Sequence, residues 1–425
     1  MTDIVLCVWL IIGYFLPNTY FYNCSAKFLV GYSYLYVSQT IITILVISAA
    51  AILMLRILRE SIGSSSIQLY CGLIAFFAVY IYAAVYKLYT GGLNTGEVSL
   101  LIAFCIGLLA SRILNISNVI LIICLLGAVQ SLFMVYYSFH HVHVIVSGNV
   151  IRSAGTFSDL SEMYGIFVVT IPLAASICMS KVRSLRILGL SCLLFLVIGF
   201  TMTWYRGAAL GIAAGLIWLF AQCPFSARKR LFMILSTLLF LTVVMFVRVH
   251  DHVSSSSSTR SIASRQTLFR AGAASFIKHP VFGLLLSDIN FPVEKKIPYV
   301  DLPTIKLVNH PYNQFLFFLD KMGAIGLILM CWFGYGIFRA LSRRREPIPL
   351  SISAAWVALL TAGFTDTLFG VPSADHDTMN MLVGLLIGLT LISSSSAANT
   401  LLVSNIDKKT EFGSCELLIS PSLPR

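Results

Sequence analysis

The chain has 425 residues, of which 58% are hydrophobic and only 11% charged, and its mean hydropathy is +0.89. Soluble domains carry about a quarter charged residues, so this composition excludes an ordinary soluble globular protein and predicts one built in a bilayer. The net charge of +12 does not signal nucleic acid, because the basic residues form short clusters between apolar runs, the pattern that orients a polytopic membrane protein.

The first stretch, "MTDIVLCVWLIIGYFLP", lacks the basic start and small-residue cleavage site of a signal peptide and is expected to be an uncleaved span. A membrane helix needs about 20 mainly apolar residues. Segments that reach or approach this length lie near 3–17, 36–55, 67–86, 98–112, 116–138, 163–180, 186–204, 207–222, 231–248, 313–338, 348–369 and 378–395. The expected fold is therefore an all-α polytopic integral membrane protein with about twelve transmembrane helices. With the N-terminus inside, the inner connections carry thirteen Lys and Arg, from Arg56 and Arg59 to the run Arg343–Arg345. The short outer connections hold four: Lys27, Lys87, Arg152 and Arg206. This bias orients the chain with both termini inside.

Residues 249–312 form one long outer connection between spans nine and ten, far beyond the usual length. They divide the chain into helices one to nine (1–248), the loop, helices ten to twelve (313–395) and a tail (396–425). The loop opens with a serine tract, "HVSSSSSTRSIAS", expected to be flexible. The next stretch, "SRQTLFRAGAASFIKHP", spaces Phe269, Ala273, Phe276 and Ile277 on one face of a helix, which His279-Pro280 ends. A polar outer segment at 140–163 is placed to join it.

Candidate chemistry gathers at this outer face. The loop holds seven basic residues, among them Arg265 and Arg270, against four acidic ones. Guanidinium forks match phosphate oxygens with paired hydrogen bonds, although long loops also escape the charge bias and a solvated basic surface has the same composition. Arg206 stands between two spans with no proper loop around it; it either reaches the interface or lines a polar cavity. Gly207, Gly211 and Gly215 give the following helix a small-residue face suited to close packing. Asp366 is the carboxylate in the outer half of span eleven, while Asp159 and Glu162 suit the start of span six. His310, in "VNHPYNQFLFFLDKMGAIGLI", is a base of suitable strength near neutral pH. His140, His141 and His143 lie close together, but no nearby carboxylate or cysteine pattern supports a metal. The ten cysteines contain no C-x-x-C pair, so no redox or metal motif is expected, and no cofactor.

The order of these pieces resembles the O-antigen ligase and polymerase superfamily of bacterial envelope glycosyltransferases. The resemblance covers most of residues 150 to 370. It rests on Gly-Thr-Phe at 155–157, Arg-Gly-Ala at 206–208, Arg265 followed by "KHPVFG" at 278–283, "HPYNQFLFFLDKMGAIGL", and "GFTD" at 363–366. One position departs from the family pattern. Tyr312 stands where the family has a histidine before the asparagine, here Asn313, and the nearest imidazole is His310.

The resemblance implies a bacterial inner-membrane enzyme with cytoplasmic termini and a periplasmic active site in which the long loop takes part. Its donor would be a glycan on undecaprenyl pyrophosphate, and its acceptor the lipid A–core (ligase) or another carrier-linked glycan (polymerase). It implies that Arg206 and Arg265, with Arg270, bind the pyrophosphate and that His310 activates the acceptor hydroxyl. Tyr312, Asn313, Asp366 and Arg152 would support them, without a metal. A flippase or exporter, the reading from another class, predicts internal repeats and helices interrupted near the midplane, and no convincing repeat is seen.

Overall fold

The computed structural model describes residues 67–89, 116–140, 144–147, 150–153, 160–203, 205–253, 257–284, 313–341, 346–366, 379, 382–391 and 393. Its elements in chain order are α1 (Ile67–Tyr89), α2 (Ile116–His140), β1 (Val144–Ser147), β2 (Val150–Ser153), α3 (Leu160–Cys178), α4 (Arg183–Thr203), α5 (Arg206–Gln222), α6 (Ala227–Val253), α7 (Ser257–Lys278), α8 (Gln314–Leu341) and α9 (Pro347–Gly363), followed by the shorter α10 (Leu382–Leu391). The described chain is nearly all helical. The expected spans at 3–17, 36–55 and 98–112 lie outside the described residues, and each of the others falls on a helix. Among the described residues, α2, α4 and α8 are long and apolar enough to cross a membrane. Large apolar side chains face outward along α2 (Leu132, Tyr136), α4 (Leu190, Leu194) and α6 (Phe232, Leu239), as in a protein whose solvent is lipid.

Two features depart from the sequence expectation. A short antiparallel hairpin, β1–β2, interrupts the helices, with Val144 opposite Ser153 and Ser147 opposite Val150. Its sequence, "VIVSGNVIRS", places Gly-Asn between two β-branched runs, a two-residue hairpin signal that an all-helical reading passes over. The loop helix α7 also begins at Ser257, inside the expected flexible serine tract, and runs for 22 residues.

The core is organised around α3. Met163 to Ala175 are buried without a break, so this helix is apolar all round because other helices cover every face. It packs against α2, α4, α5 and α9. The closest packing is between α5 and α9. A Cβ on Gly211 would lie 2.5 Å from the Ala358 carbonyl oxygen, and one on Gly215 would lie 2.6 Å from that of Ala354. The sequence thus brings two backbones together through glycines one turn apart, facing alanines on the partner. We predict that Gly211→Leu, by forcing these backbones apart, destabilises the protein by about 1–3 kcal/mol. Thermal unfolding in detergent micelles will show this as a lowered midpoint.

Two indoles of this core are paired with hydroxyls on neighbouring helices. Trp218 donates its indole N–H to Ser353 Oγ and Trp356 donates to Thr390 Oγ1, both at 3.0 Å. Each bond joins neighbouring helices and spares a buried donor the cost of going unmade.

Candidate functional site

One end of the bundle gathers the starts of α3, α5 and α8 and the end of α9. Four segments distant in sequence meet there, and the side chains that join them are polar. Asp366, in the turn after α9, is 4% exposed. Its Oδ2 accepts a hydrogen bond from Tyr164 of α3 at 2.5 Å and a second, very short one from Tyr205. The two phenol rings stack face to face, with centroids 3.8 Å apart and planes within 2°. A carboxylate buried in an apolar bundle is costly unless its lone pairs are satisfied; two phenols meet that need.

Tyr205 is the N-cap residue of α5, with φ −101° and ψ 111°, and no side chain caps this helix start. Its phenol anchors the junction to Asp366, so the next residue, Arg206, is held at the first position of α5. The Arg206 side chain is exposed. A cation at a helix start is disfavoured by the helix dipole, whereas an anion would be favoured by both the guanidinium and the first N–H groups. Gly207 follows, and a Cβ there would fall on the Thr365 hydroxyl; glycine lets the α5 start and the α9 end touch.

Asn313 joins the same junction. Its Oδ1 accepts from the Phe315 and Leu316 amides at 3.0 and 2.9 Å, which makes it the N-cap of α8. Its Nδ2 donates to the Phe364 carbonyl at 3.0 Å, two residues from Asp366. The Phe315 and Phe364 rings lie 4.4 Å apart. The structure therefore brings together Arg206, Asn313 and Asp366 among the sequence candidates.

The other candidates fall on other elements or outside the described residues. Arg265 and Arg270 fall on α7, and the Arg270 side chain is exposed. Arg152 falls on β2, opposite Ile145. Gly155, Thr156, Phe157, Asp159, His141, His143, His310 and Tyr312 lie outside the described residues.

The end of α7 is fixed to α8 by a backbone joint. α8 is broken at Gly323, where φ is 64° and ψ −166°. In an unbroken helix the Ala324 and Ile325 amides would bond to the carbonyls of residues 320 and 321. Here they donate to Pro280 and Val281, at 2.8 and 3.3 Å, while the Leu284 amide donates to the freed Asp320 carbonyl at 2.8 Å. "HPVFG" thus replaces one turn's worth of helix bonds. Gly283 also has positive φ, 62°, and a Cβ on it would lie 2.5 Å from the Gly323 nitrogen. Both glycines are required, by conformation and by space. Beneath the joint, Asp320 and Lys321 are completely buried. The Asp320 carboxylate faces Ser275 and His279 of the α7 end as well as Lys321, but neither oxygen makes a hydrogen bond of good geometry.

Sequence reasoning missed Tyr164, Tyr205 and Asp320; Gly283 and Gly323 lie within the family motifs it singled out, without the joint they form. The pair Asp320-Lys321 was the available signal, since ionisable residues inside a span are rare and mark special positions. The tyrosines had none beyond the closeness of Tyr205 to Arg206.

No curated protein matches the chain. A family model does: that of the O-antigen ligases, over residues 190–331. The match begins within α4 and takes in Tyr205, Arg206, α7, the joint and the first two-thirds of α8. The sequence resemblance and this match agree: residues 190–331, about a third of the chain, are similar to the O-antigen ligase family.

Proposed function

We propose that the protein is an inner-membrane glycosyltransferase that moves an undecaprenyl-pyrophosphate-linked O-antigen, or a related polysaccharide, onto the lipid A–core at the periplasmic face. The observation that carries this reading is Arg206. It stands exposed at an uncapped helix start, beside a tyrosine fixed to a buried carboxylate, within the matched family domain. The twelve-span topology, with cytoplasmic termini and a periplasmic loop at 249–312, belongs to the same proposal.

In this reading Arg206 and Arg265, with Arg270, hold the donor's pyrophosphate by charge-assisted hydrogen bonds. The bond between the anomeric carbon and the phosphate oxygen breaks, and the negative charge it leaves is stabilised by guanidinium groups already in place. The acceptor hydroxyl forms the new bond from the opposite face, and His310 takes its proton. Only two residues separate His310 from Asn313, so their Cα atoms are within about 11 Å. That reach is compatible with an imidazole acting beside the junction. Tyr312, with a reference pKa near ~10, is the poorer base.

The second reading, a polymerase joining carrier-linked repeats, is favoured by one observation: Tyr312 occupies the family histidine's place. A deletion strain complemented with variants tests both. Arg206→Ala and Arg265→Ala are expected to reduce glycan transfer at least ~100-fold, the scale of losing a transition-state donor, with protein levels maintained. Full activity in both removes the proposal. Core without polymer and accumulated carrier-linked chains identify a ligase; core bearing a single repeat identifies a polymerase. Normal transfer in His310→Ala with loss in Tyr312→Phe would move the base to Tyr312.

A further inference from the structure

At the end of the bundle opposite Asp366, the turns α3–α4 and α5–α6 lie side by side, with Cys223 Sγ 3.6 Å from Met179 Sδ. Above them opens a cavity of about 340 Å³ with an almost wholly apolar lining. Ile171 and Ala175 of α3, with residues of α5, form its floor; Leu193 and Val197 of α4 form one wall, and Phe232 and Ser236 of α6 the other. The gap exists because α4 packs on α2 and α3 whereas α6 packs on α5. The α6 wall extends to Phe240, eight residues beyond Phe232, or about 12 Å along the helix.

The end of the bundle below this groove is positively charged in two independent ways. Lys181 and Arg183 at the α3–α4 turn, and Arg228 and Lys229 at the α5–α6 turn, are all exposed, and although none lines the cavity, the two turns are joined at this end of the bundle by the Cys223–Met179 contact. Their neighbours Arg186 and Arg230 are used internally, donating to the carbonyls of Ser180, Cys223 and Phe225. The starts of α4 and α6 also lie at this end, and neither has an acidic residue in its first turn. Four cations crowd two positive helix ends, a local repulsion that a phosphate group would reverse. Directly above, an apolar slot is long enough for much of an acyl chain.

We infer that this groove binds one anionic diacyl phospholipid, its phosphate on the basic turns and one acyl chain between α4 and α6. The lipid completes the packing that α4 and α6 do not supply to each other. The site stands at the other end of the bundle from the proposed transfer chemistry and does not depend on it.

Native mass spectrometry of the full chain tests this, after delipidation and re-addition of an equimolar mixture of phosphatidylglycerol and phosphatidylcholine with identical chains. The wild type is expected to retain one phosphatidylglycerol, preferred about tenfold over phosphatidylcholine, the scale of one to two cations acting on an anionic headgroup. A variant with Arg183, Arg228 and Lys229 changed to Gln is expected to lose the preference. Ser236→Trp, at an exposed position on the groove wall, is expected to block retention of both lipids without loss of fold. Equal retention by the wild type, or undiminished retention by Ser236→Trp, overturns the inference. So does retention of no lipid.

Discussion

Gly323→Ala is expected to destabilise the protein by about 3–5 kcal/mol, whereas Gly334→Ala, eleven residues along the same helix, leaves it unchanged or slightly more stable. The first position has φ 64° and ψ −166°, a region essentially restricted to glycine, where another residue costs about 1–3 kcal/mol. The added Cβ would also be driven into the Val281 carbonyl and to 2.6 Å from the Gly283 nitrogen. Relief of that clash would separate the segments and sacrifice the Ala324–Pro280 and Leu284–Asp320 hydrogen bonds, each contributing about 1 kcal/mol. At Gly334 an added Cβ meets nothing within 4 Å, so only helix propensity acts, and it favours alanine by about 1 kcal/mol. Unfolding midpoints in detergent micelles measure the difference, and limited proteolysis between α6 and α8 reports whether α7 has come loose. Equal midpoints for the two variants would show that the joint contributes nothing. Because α7 carries Arg265 and Arg270, Gly323→Ala is also expected to lose glycan transfer.

The contrast between those two glycines shows where sequence reading stops. Helix positions were legible because a bilayer imposes length and apolarity on every crossing segment, and α1 to α6 and α8 to α10 lie where apolar runs predicted them. The role of a glycine was not legible. Gly211, Gly323 and Gly334 all sit in apolar helices, yet one permits backbone contact, one breaks the helix and one faces open space. Composition cannot separate these uses because each is defined by a partner far along the chain. The serine tract misled for a related reason. Serine is a modest helix former in the interior but a favoured one at a helix start, and α7 begins with two serines at 257 and 258.

The candidate site divides in the same way. Arg206 and Asp366 were visible as charges where the bilayer makes charge expensive, and Asn313 as a polar residue before an apolar run. Their connection was not visible. Tyr164 and Asp366 are 202 residues apart, and Tyr205 and Asp366 are 161 apart, so no local pattern records that two phenols share one carboxylate. The family match covers Tyr205 and Arg206 but ends before Asp366. The fold completes the arrangement by bringing the turn after α9 against the start of α5.

Asp366→Ala is expected to reduce glycan transfer about 100-fold, and Tyr205→Phe about tenfold, through the placement of Arg206. The carboxylate receives two phenolic hydrogen bonds in a buried site, and bonds to a charged group contribute about 1.5–3 kcal/mol each. Removing the carboxylate takes this shared acceptor from both phenols, whereas removing the Tyr205 hydroxyl leaves Asp366 with Tyr164. Tyr205 immediately precedes Arg206, so loss of its anchor frees the residue that sets the guanidinium's position at the start of α5. A general loss of fold would also lower activity, and a double-mutant cycle separates the two causes. If Tyr205 acts through Asp366, the double variant Tyr205→Phe/Asp366→Ala transfers glycan no more slowly than Asp366→Ala alone, because the second change removes a bond already lost. Independent effects would multiply, to about 1,000-fold. Asp366→Asn, which keeps an acceptor in place, is expected to recover at least tenfold over Asp366→Ala. Multiplicative losses in the double variant, or no recovery with asparagine, would show that the tyrosine–aspartate cluster does not position Arg206.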